Sequence, residues 1–294
     1  MSSPQITILI DNTPCPDSTF HLASEHGLSL YVEDDEHRYL IDTGKSGCAI
    51  DNATALGIDI TKIDTLILSH GHNDHTGGLQ RFLKQNQIAR IFCSQHIIDT
   101  TYTSTHHGIL HNLTPDADLL RENIHRFQFV NENRLIISNT LSLFKCNNKQ
   151  QPCPAGNNRL HSSRNGINQP YTAEDELCVC ISHRSDETLT SQCHTLISPC
   201  SHSGLLNILQ AFTQTYNCNR EDIHQFIGGL HLLDEYMNID NVTSLANTLS
   251  ALYPTLLLYT GHCTGNHATE VLSVALQSHF KKFYTGATIP LFTK

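Results

Sequence analysis

The ten residues from Ser69 to Gly78 read Ser-His-Gly-His-Asn-Asp-His-Thr-Gly-Gly, which puts three histidines and a carboxylate within six positions. They follow an apolar, β-branched run, Ile63–Leu68, that reads as a strand. In extended backbone, residues two apart project to the same side, so His70 and His72 can converge on one cation. Asp74 and His75 stand where the chain must turn toward the next helix, and can point to a second position a few ångströms away. Imidazole and carboxylate donors together suit zinc, iron or manganese. The competing reading is a histidine-rich capping loop in a chain with 20 histidines among 294 residues. Four ligand-capable residues at this spacing, at the C-terminal end of a strand, argue against it.

The elements that must position this loop alternate in type. Ile6–Ile10, Leu28–Val32 and Tyr39–Ile41 read as strands, Cys48–Leu56 as a helix ending at Gly57, and Ile91–Cys93 as a further strand after a helix opening at Leu79. The pattern weakens from about Thr100 to Gln128, and Arg134–Phe144 recovers strand character. Residues 147–169 are rich in Asn, Gln, Gly, Ser and Pro, a composition expected of a polar loop insertion that could act as a lid. Strands follow at Leu177–Ser182, Thr195–Ser198, Phe226–Ile227 and Thr255–Tyr259, with helices near 204–212, 242–252 and 266–280. Strands alternating with helices predict a layered α/β fold, and no change of composition divides residues 1–294, so one domain is expected.

The polar knot fits a His-x-His-x-Asp-His signature, and other strings in the same order join it. These are Asp42-Thr43-Gly44, Pro199-Cys200-Ser201-His202-Ser203-Gly204 and Gly261-His262-Cys263-Thr264-Gly265. Together they make the chain resemble the metallo-β-lactamase superfamily from about residue 6 to 290. Glu25-His26-Gly27-Leu28-Ser29 and Gly228-Gly229-Leu230-His231-Leu232 further resemble its dihydropterin synthase-like branch of metal-dependent hydrolases, which includes a methanopterin-pathway synthase. The resemblance implies a four-layer αββα sandwich. It also implies His70, His72 and His202 around a first metal, Asp74, His75 and His262 around a second, and Asp42 buttressing the metal loop. Zinc is the expected ion, one or two per chain, with Mn2+ or Fe2+ as alternatives. Asp74 would also orient a water proton.

One departure stands out. Dinuclear relatives carry a bridging aspartate after the strand between the last two metal histidines, whereas here that segment reads Phe226-Ile227-Gly228-Gly229-Leu230-His231. One anionic ligand fewer weakens a cation site. His231 is read as a ligand, a substrate contact or a proton carrier. Glu25 and His26 supply a substrate hydrogen bond or pair within a surface turn. Cys200 and Cys263, beside the expected metal histidines, are thiolate ligands, a redox gate or plain packing; packing is favoured because adjacent side chains on a strand point to opposite faces. Asp175-Glu176 either reaches the site or begins a strand in solvent.

The formal net charge of −10 disfavours nucleic acid and anionic membrane surfaces as partners, leaving a small-molecule substrate. The N-terminus has no basic segment followed by an apolar stretch, and no apolar run approaches bilayer length, so a cytoplasmic protein with reduced thiols is expected from the 11 cysteines. The function expected is a hydrolase whose metal activates water or polarises an ester, lactone or phosphoryl group. The first alternative is a transferase in which diphosphate departs from a dihydropterin, and the second is a non-catalytic metal-binding or sensor protein.

Overall fold

The computed structural model describes residues 4–34, 37–184 and 192–291. They form two compact units, one of residues 4–131, 158–175 and 283–291 and the other of 132–157 and 176–282. The mixed α/β class expected from the sequence is present in both. Among the described residues no helix is long and apolar enough to cross a membrane.

The first unit is built on a seven-stranded sheet. Its order is Thr288–Pro290, Gln5–Ile10, Ser29–Glu33, Arg38–Ile41, Thr65–Ile67, Arg90–Cys93, Phe127–Phe129. The first three pairings are antiparallel and the last three parallel. Strand residues such as Ile6, Ile8, Leu9 and Ile10 are buried in succession rather than alternately, as expected of strands covered on both faces. Helices Cys48–Ala55 and Leu79–Gln85 place Ile50, Ala53, Leu79 and Phe82 in one cluster with Leu40, Leu66 and Ile91. A side chain on Gly77 or Gly78 would collide with backbone carbonyls of Lys45, Thr43 and Ser46, so only glycine lets the turn after His75 lie against residues 43–46.

The second unit's sheet runs Phe280–Lys282, Leu257–Thr260, Ile223–Ile227, Gln192–Ile197, Leu177–Arg184, Leu141–Lys145, Arg134–Ile136. It holds the same set of pairings, three antiparallel and three parallel. Helices Leu205–Tyr216, Ile239–Leu252 and Asn266–Leu276 bury Ile208, Phe212, Leu249 and Leu272 with Leu196, Phe226 and Leu258.

The strand character read over Arg134–Phe144 is present as a hairpin of Arg134–Ile136 and Leu141–Lys145, turned where Ser138 accepts bonds from the amides of Thr140 and Leu141. One reading of the sequence needs correction. The segment expected as a loop at 147–169 divides in two. Leu160–Arg164 and Ile167–Pro170 are strands of a four-stranded sheet completed by Thr100–His106 and Ile109–Asn112, the region that had looked merely polar. Thr100–His106 buries alternate residues only, and its inward positions include Thr100 and Ser104, so apolar content gave no signal. Residues 151–157 are tied down by polar side chains instead: Asn207 and Gln151 exchange two hydrogen bonds of 2.8 Å.

Leu160 is buried with Tyr102, Tyr171 and Ala173. Leu160→Ala is therefore expected to lose about 2–5 kcal/mol of stability, whereas Ile167→Ala, at an exposed position of the same hairpin, should change it by under about 0.5 kcal/mol. Urea unfolding of the two variants checks this; equal small effects would mean that the hairpin contributes no core.

Candidate metal centre

In both units the candidate residues follow parallel strands at their C-terminal ends. In the first unit, strand Arg38–Ile41 runs into Asp42 and strand Thr65–Ile67 into the loop of His70, His72, Asp74 and His75. Asp42 is fully buried and adopts a left-handed conformation with φ of 58°. Its carboxylate accepts the Ser69 amide, the Ser69 hydroxyl and His75 Nδ1, each at 2.7 Å. The Ser69 hydroxyl also lies 2.9 Å from His70 Nδ1. With Nδ1 held by a carboxylate, Nε2 is the nitrogen of His75 that could bind a cation.

The spacing of donor atoms fits such an ion. His70 Nε2 and His72 Nδ1 face each other at 3.1 Å, and His75 Nε2 lies 3.6 Å from Asp74 Oδ2. Two nitrogens bound tetrahedrally at about 2.0–2.1 Å stand about 3.3 Å apart. All four side chains are buried, and burial pushes the His72 imidazole down to about 4, against the pull of the Asp74 and Asp175 carboxylates. At neutral pH His72 is thus the neutral ligand form rather than a second positive charge.

The remaining first-unit candidates sit around this loop. His26 Nε2 is 3.3 Å from Asp74 Oδ2, and its Nδ1 is 3.1 Å from the Asn12 side-chain nitrogen. Half of the His26 side chain is exposed. Glu25 is engaged differently: its Oε1 accepts the amides of Lys45 and Ser46, both at 3.0 Å, and so holds the loop that follows Asp42.

In the second unit, His202, His231 and His262 follow the strands Gln192–Ile197, Ile223–Ile227 and Leu257–Thr260. The three loops are stitched together. Ser201 donates its hydroxyl to the Gly229 carbonyl at 2.6 Å, Gly229 its amide to Pro199 at 2.8 Å, and Leu230 its amide to the Thr264 hydroxyl at 3.0 Å. Asn157 fixes the His202 ring: its amide nitrogen donates to the His202 carbonyl at 2.8 Å, which turns its oxygen to His202 Nδ1 at 3.0 Å. That leaves Nε2 as the ring's donor atom. The His231 ring packs 4.3 Å from that of His202, centroid to centroid.

Of the two readings left open for Asp175 and Glu176, the solvated start of a strand fails, because both are buried. Asp175 accepts the Gly71 amide at 2.8 Å and the hydroxyls of Tyr102 and Tyr171 at 2.9 and 2.8 Å. Both tyrosine rings pack on His72. Burial and the neighbouring Asp175 charge push the Tyr102 phenol well above its ordinary value, so it stays a donor. Glu176 accepts the amides of His202 and Ser203 at 2.6 and 2.9 Å. Burial raises its carboxyl pKa, and these bonds oppose the rise. No local signal marks Tyr102, Tyr171 or Asn157, which act across large sequence separations.

Comparison with known proteins places the chain among similar sequences and folds. Residues 25–118 match the Metallo-beta-lactamase superfamily. The chain is 27% identical over 288 residues, 90% of its own length and 90% of the relative's, to 7,8-dihydropterin-6-methyl-4-(beta-D-ribofuranosyl)-aminobenzene-5'-phosphate synthase of Methanocaldococcus jannaschii. Among solved structures it is similar to Tm1679, a metal-dependent hydrolase of the beta-lactamase superfamily, with a TM-score of 0.80 and 26% identity over 98% of this chain and 99% of that one. A diphosphatase from the PhnP family shares the fold, with a TM-score of 0.53 and 14% identity over 99% and 98% of the two chains.

Asp175→Ala is expected to leave three buried donors without their acceptor and to lower stability by about 3 kcal/mol or more, at roughly 1–3 kcal/mol for each unsatisfied group. Asp175→Asn keeps one acceptor oxygen and should lose about half as much. Chemical denaturation of both variants tests the ordering, and an alanine variant as stable as the parent would refute it.

Proposed function

The chain carries a metallo-β-lactamase superfamily domain and has the metallo-β-lactamase fold, and on that footing we propose that it is a metal-dependent hydrolase acting on a small molecule. The observation that carries the reading is one loop that turns two imidazole nitrogens toward each other at 3.1 Å and braces a third imidazole on a buried carboxylate. His70, His72 and His202 are the proposed ligands of one cation, and Asp74, His75 and His262 of another. Zinc suits these nitrogen and carboxylate donors best. When bound, the cation supplies a Lewis acid that polarises an ester, lactone or phosphoryl oxygen and acidifies water.

The chain's own residues supply orientation and proton handling. Asp42 fixes the tautomer and direction of the His75 ring. Asp74 orients the water and takes its proton, then gives that proton to the leaving group; its 3.3 Å approach to His26 supports a fixed carboxylate direction. His231 contacts the substrate or carries a proton. The substrate is a small molecule rather than a nucleic acid or a membrane surface, in keeping with the net charge of −10. The eleven unbridged cysteines fit a reducing compartment, and we assign the chain to the cytoplasm.

A second reading is favoured by the 27% identity, over 90% of each sequence, to a protein named as a synthase. In it the cation held by the same residues would supply positive charge for a diphosphate leaving group, and the chain's own residues would orient a carbon or nitrogen nucleophile for attack. The readings separate in a product assay on protein purified without chelator, with metal content measured alongside. Phosphate, acid or alcohol released from a single substrate by water marks the hydrolase. Diphosphate released only when a nucleophilic co-substrate is added marks the transferase. Metal binding without turnover on phosphoesters, diphosphates, thioesters or lactones would sink both in favour of a sensor. Asp74→Ala should lower turnover by at least about 100-fold with an unchanged circular dichroism spectrum.

A further inference from the structure

Strand Ile223–Ile227 ends in Gly228-Gly229-Leu230, none of which carries a carboxylate. Two sulfurs stand there instead. Cys200 Sγ and Cys263 Sγ are 3.6 Å apart, both residues are at most 5% exposed, and a ring nitrogen of His262 joins them so that the three donor atoms lie within 4.8 Å of one another. The separation is that of ligands rather than of a covalent bridge. Two sulfurs bound tetrahedrally at about 2.3 Å stand about 3.8 Å apart, whereas a disulfide closes to about 2.0 Å.

The backbone is arranged to hold these atoms. His262 adopts a left-handed conformation with φ of 50°, so the chain is not extended there. The side chains of His262 and Cys263 therefore need not diverge as neighbours on a strand do, the reason that had favoured packing. The His231 amide donates toward Cys263 Sγ from 3.3 Å and fixes its place. A side chain at Gly229 would occupy the space of Cys263 Sγ. Cys263 Sγ also lies 3.6 Å from the Cys200 carbonyl, which accepts the thiol proton while it is present.

We infer that Cys200, Cys263 and His262 form a thiolate-bearing site for a soft or borderline divalent cation such as Zn2+. On binding, each thiol releases its proton to solvent and each sulfur gives a lone pair to the ion. The two thiolates supply the negative charge that a bridging aspartate would otherwise bring, and they select zinc or cobalt over magnesium or manganese. The inference rests on the proposed reading that His262 is a metal ligand, and it adds sulfur donors to that ligand.

The test exchanges the bound metal of the full-length protein for cobalt(II), removes loosely held ions by gel filtration, and records cobalt content and absorption together. A near-ultraviolet sulfur-to-cobalt charge-transfer band is expected in the parent. It should fall to about half in Cys200→Ser and in Cys263→Ser, vanish in the double variant, and persist unchanged in Cys153→Ser, which removes an exposed thiol. Bound cobalt without the band, or a band that survives in the double variant, overturns the inference and leaves the metal-dependent reading standing. A chain that retains no cobalt overturns both. X-ray absorption of the zinc form needs no variant: sulfur neighbours at about 2.3 Å support the site, and nitrogen and oxygen alone at about 2.0–2.1 Å refute it.

Discussion

The Asp42 carboxylate has no access to solvent, yet it accepts three hydrogen bonds, all at 2.7 Å, from the Ser69 amide, the Ser69 hydroxyl and His75 Nδ1. Those bonds lock the ends of two parallel strands together and set the direction of the imidazole between them. The neighbours inherit the constraint. Thr43 donates both its amide and its hydroxyl to the His75 carbonyl, Leu28 donates its amide to Asp74, and Gly44 donates to Leu28. Residues 28, 42–44 and 69–75 thus form one hydrogen-bonded web. Asp42 reaches its place through a left-handed backbone that costs an L-residue about 1–3 kcal/mol. Glycine would remove that strain but would also remove the only group that can accept all three bonds.

The second unit solves the same problem with different chemistry. Its site loops also follow parallel strands, and Ser201, His231 and His262 are left-handed in them, as Asp42 is in the first unit. Here the loop carrying His202 is held by Glu176, which comes from the start of an antiparallel strand, and by Asn157, which comes from a polar connecting segment. The shared feature is therefore the location at the C-terminal ends of parallel strands, where successive loops converge. The holding group itself is free to vary, because any acceptor that reaches the amides will serve.

This division explains what could be read from the sequence. The loop from Ser69 to Gly78 was legible because its donors are contiguous and their spacing maps directly onto extended backbone. His202 and His262 were legible only through resemblance, since nothing local distinguishes them among 20 histidines. Asp175, Glu176, Tyr102, Tyr171 and Asn157 were not legible as supports, because their partners lie between 4 and 104 positions away in sequence. The four-stranded sheet was missed for a related reason. Its strands bury Thr, Ser and Tyr on one face and leave Ile109, Leu110 and Ile167 exposed, which inverts the usual pattern of apolar inside and polar outside.

Buried carboxylates connect these supports to function. Asp42, Asp175 and Glu176 accept from backbone amides, hydroxyls and one imidazole, so each carboxylate is solvated by hydrogen-bonding dipoles, to which Lys149 adds a favourable charge for Glu176. Solvation of that kind keeps an anion tolerable in the interior but leaves its field intact. In the first unit that field falls on His70, His72 and His75, whose rings pack against one another, and burial of the His72 ring resists its protonation. A proton on one ring nitrogen would have to be removed from water and would break the donor geometry set by Asp42. A divalent cation would satisfy the same field through several rings at once. The arrangement that looks unfavourable as a set of separate buried polar groups would be consistent as a set of ligands, with His75 aimed by Asp42 and His70 by Ser69.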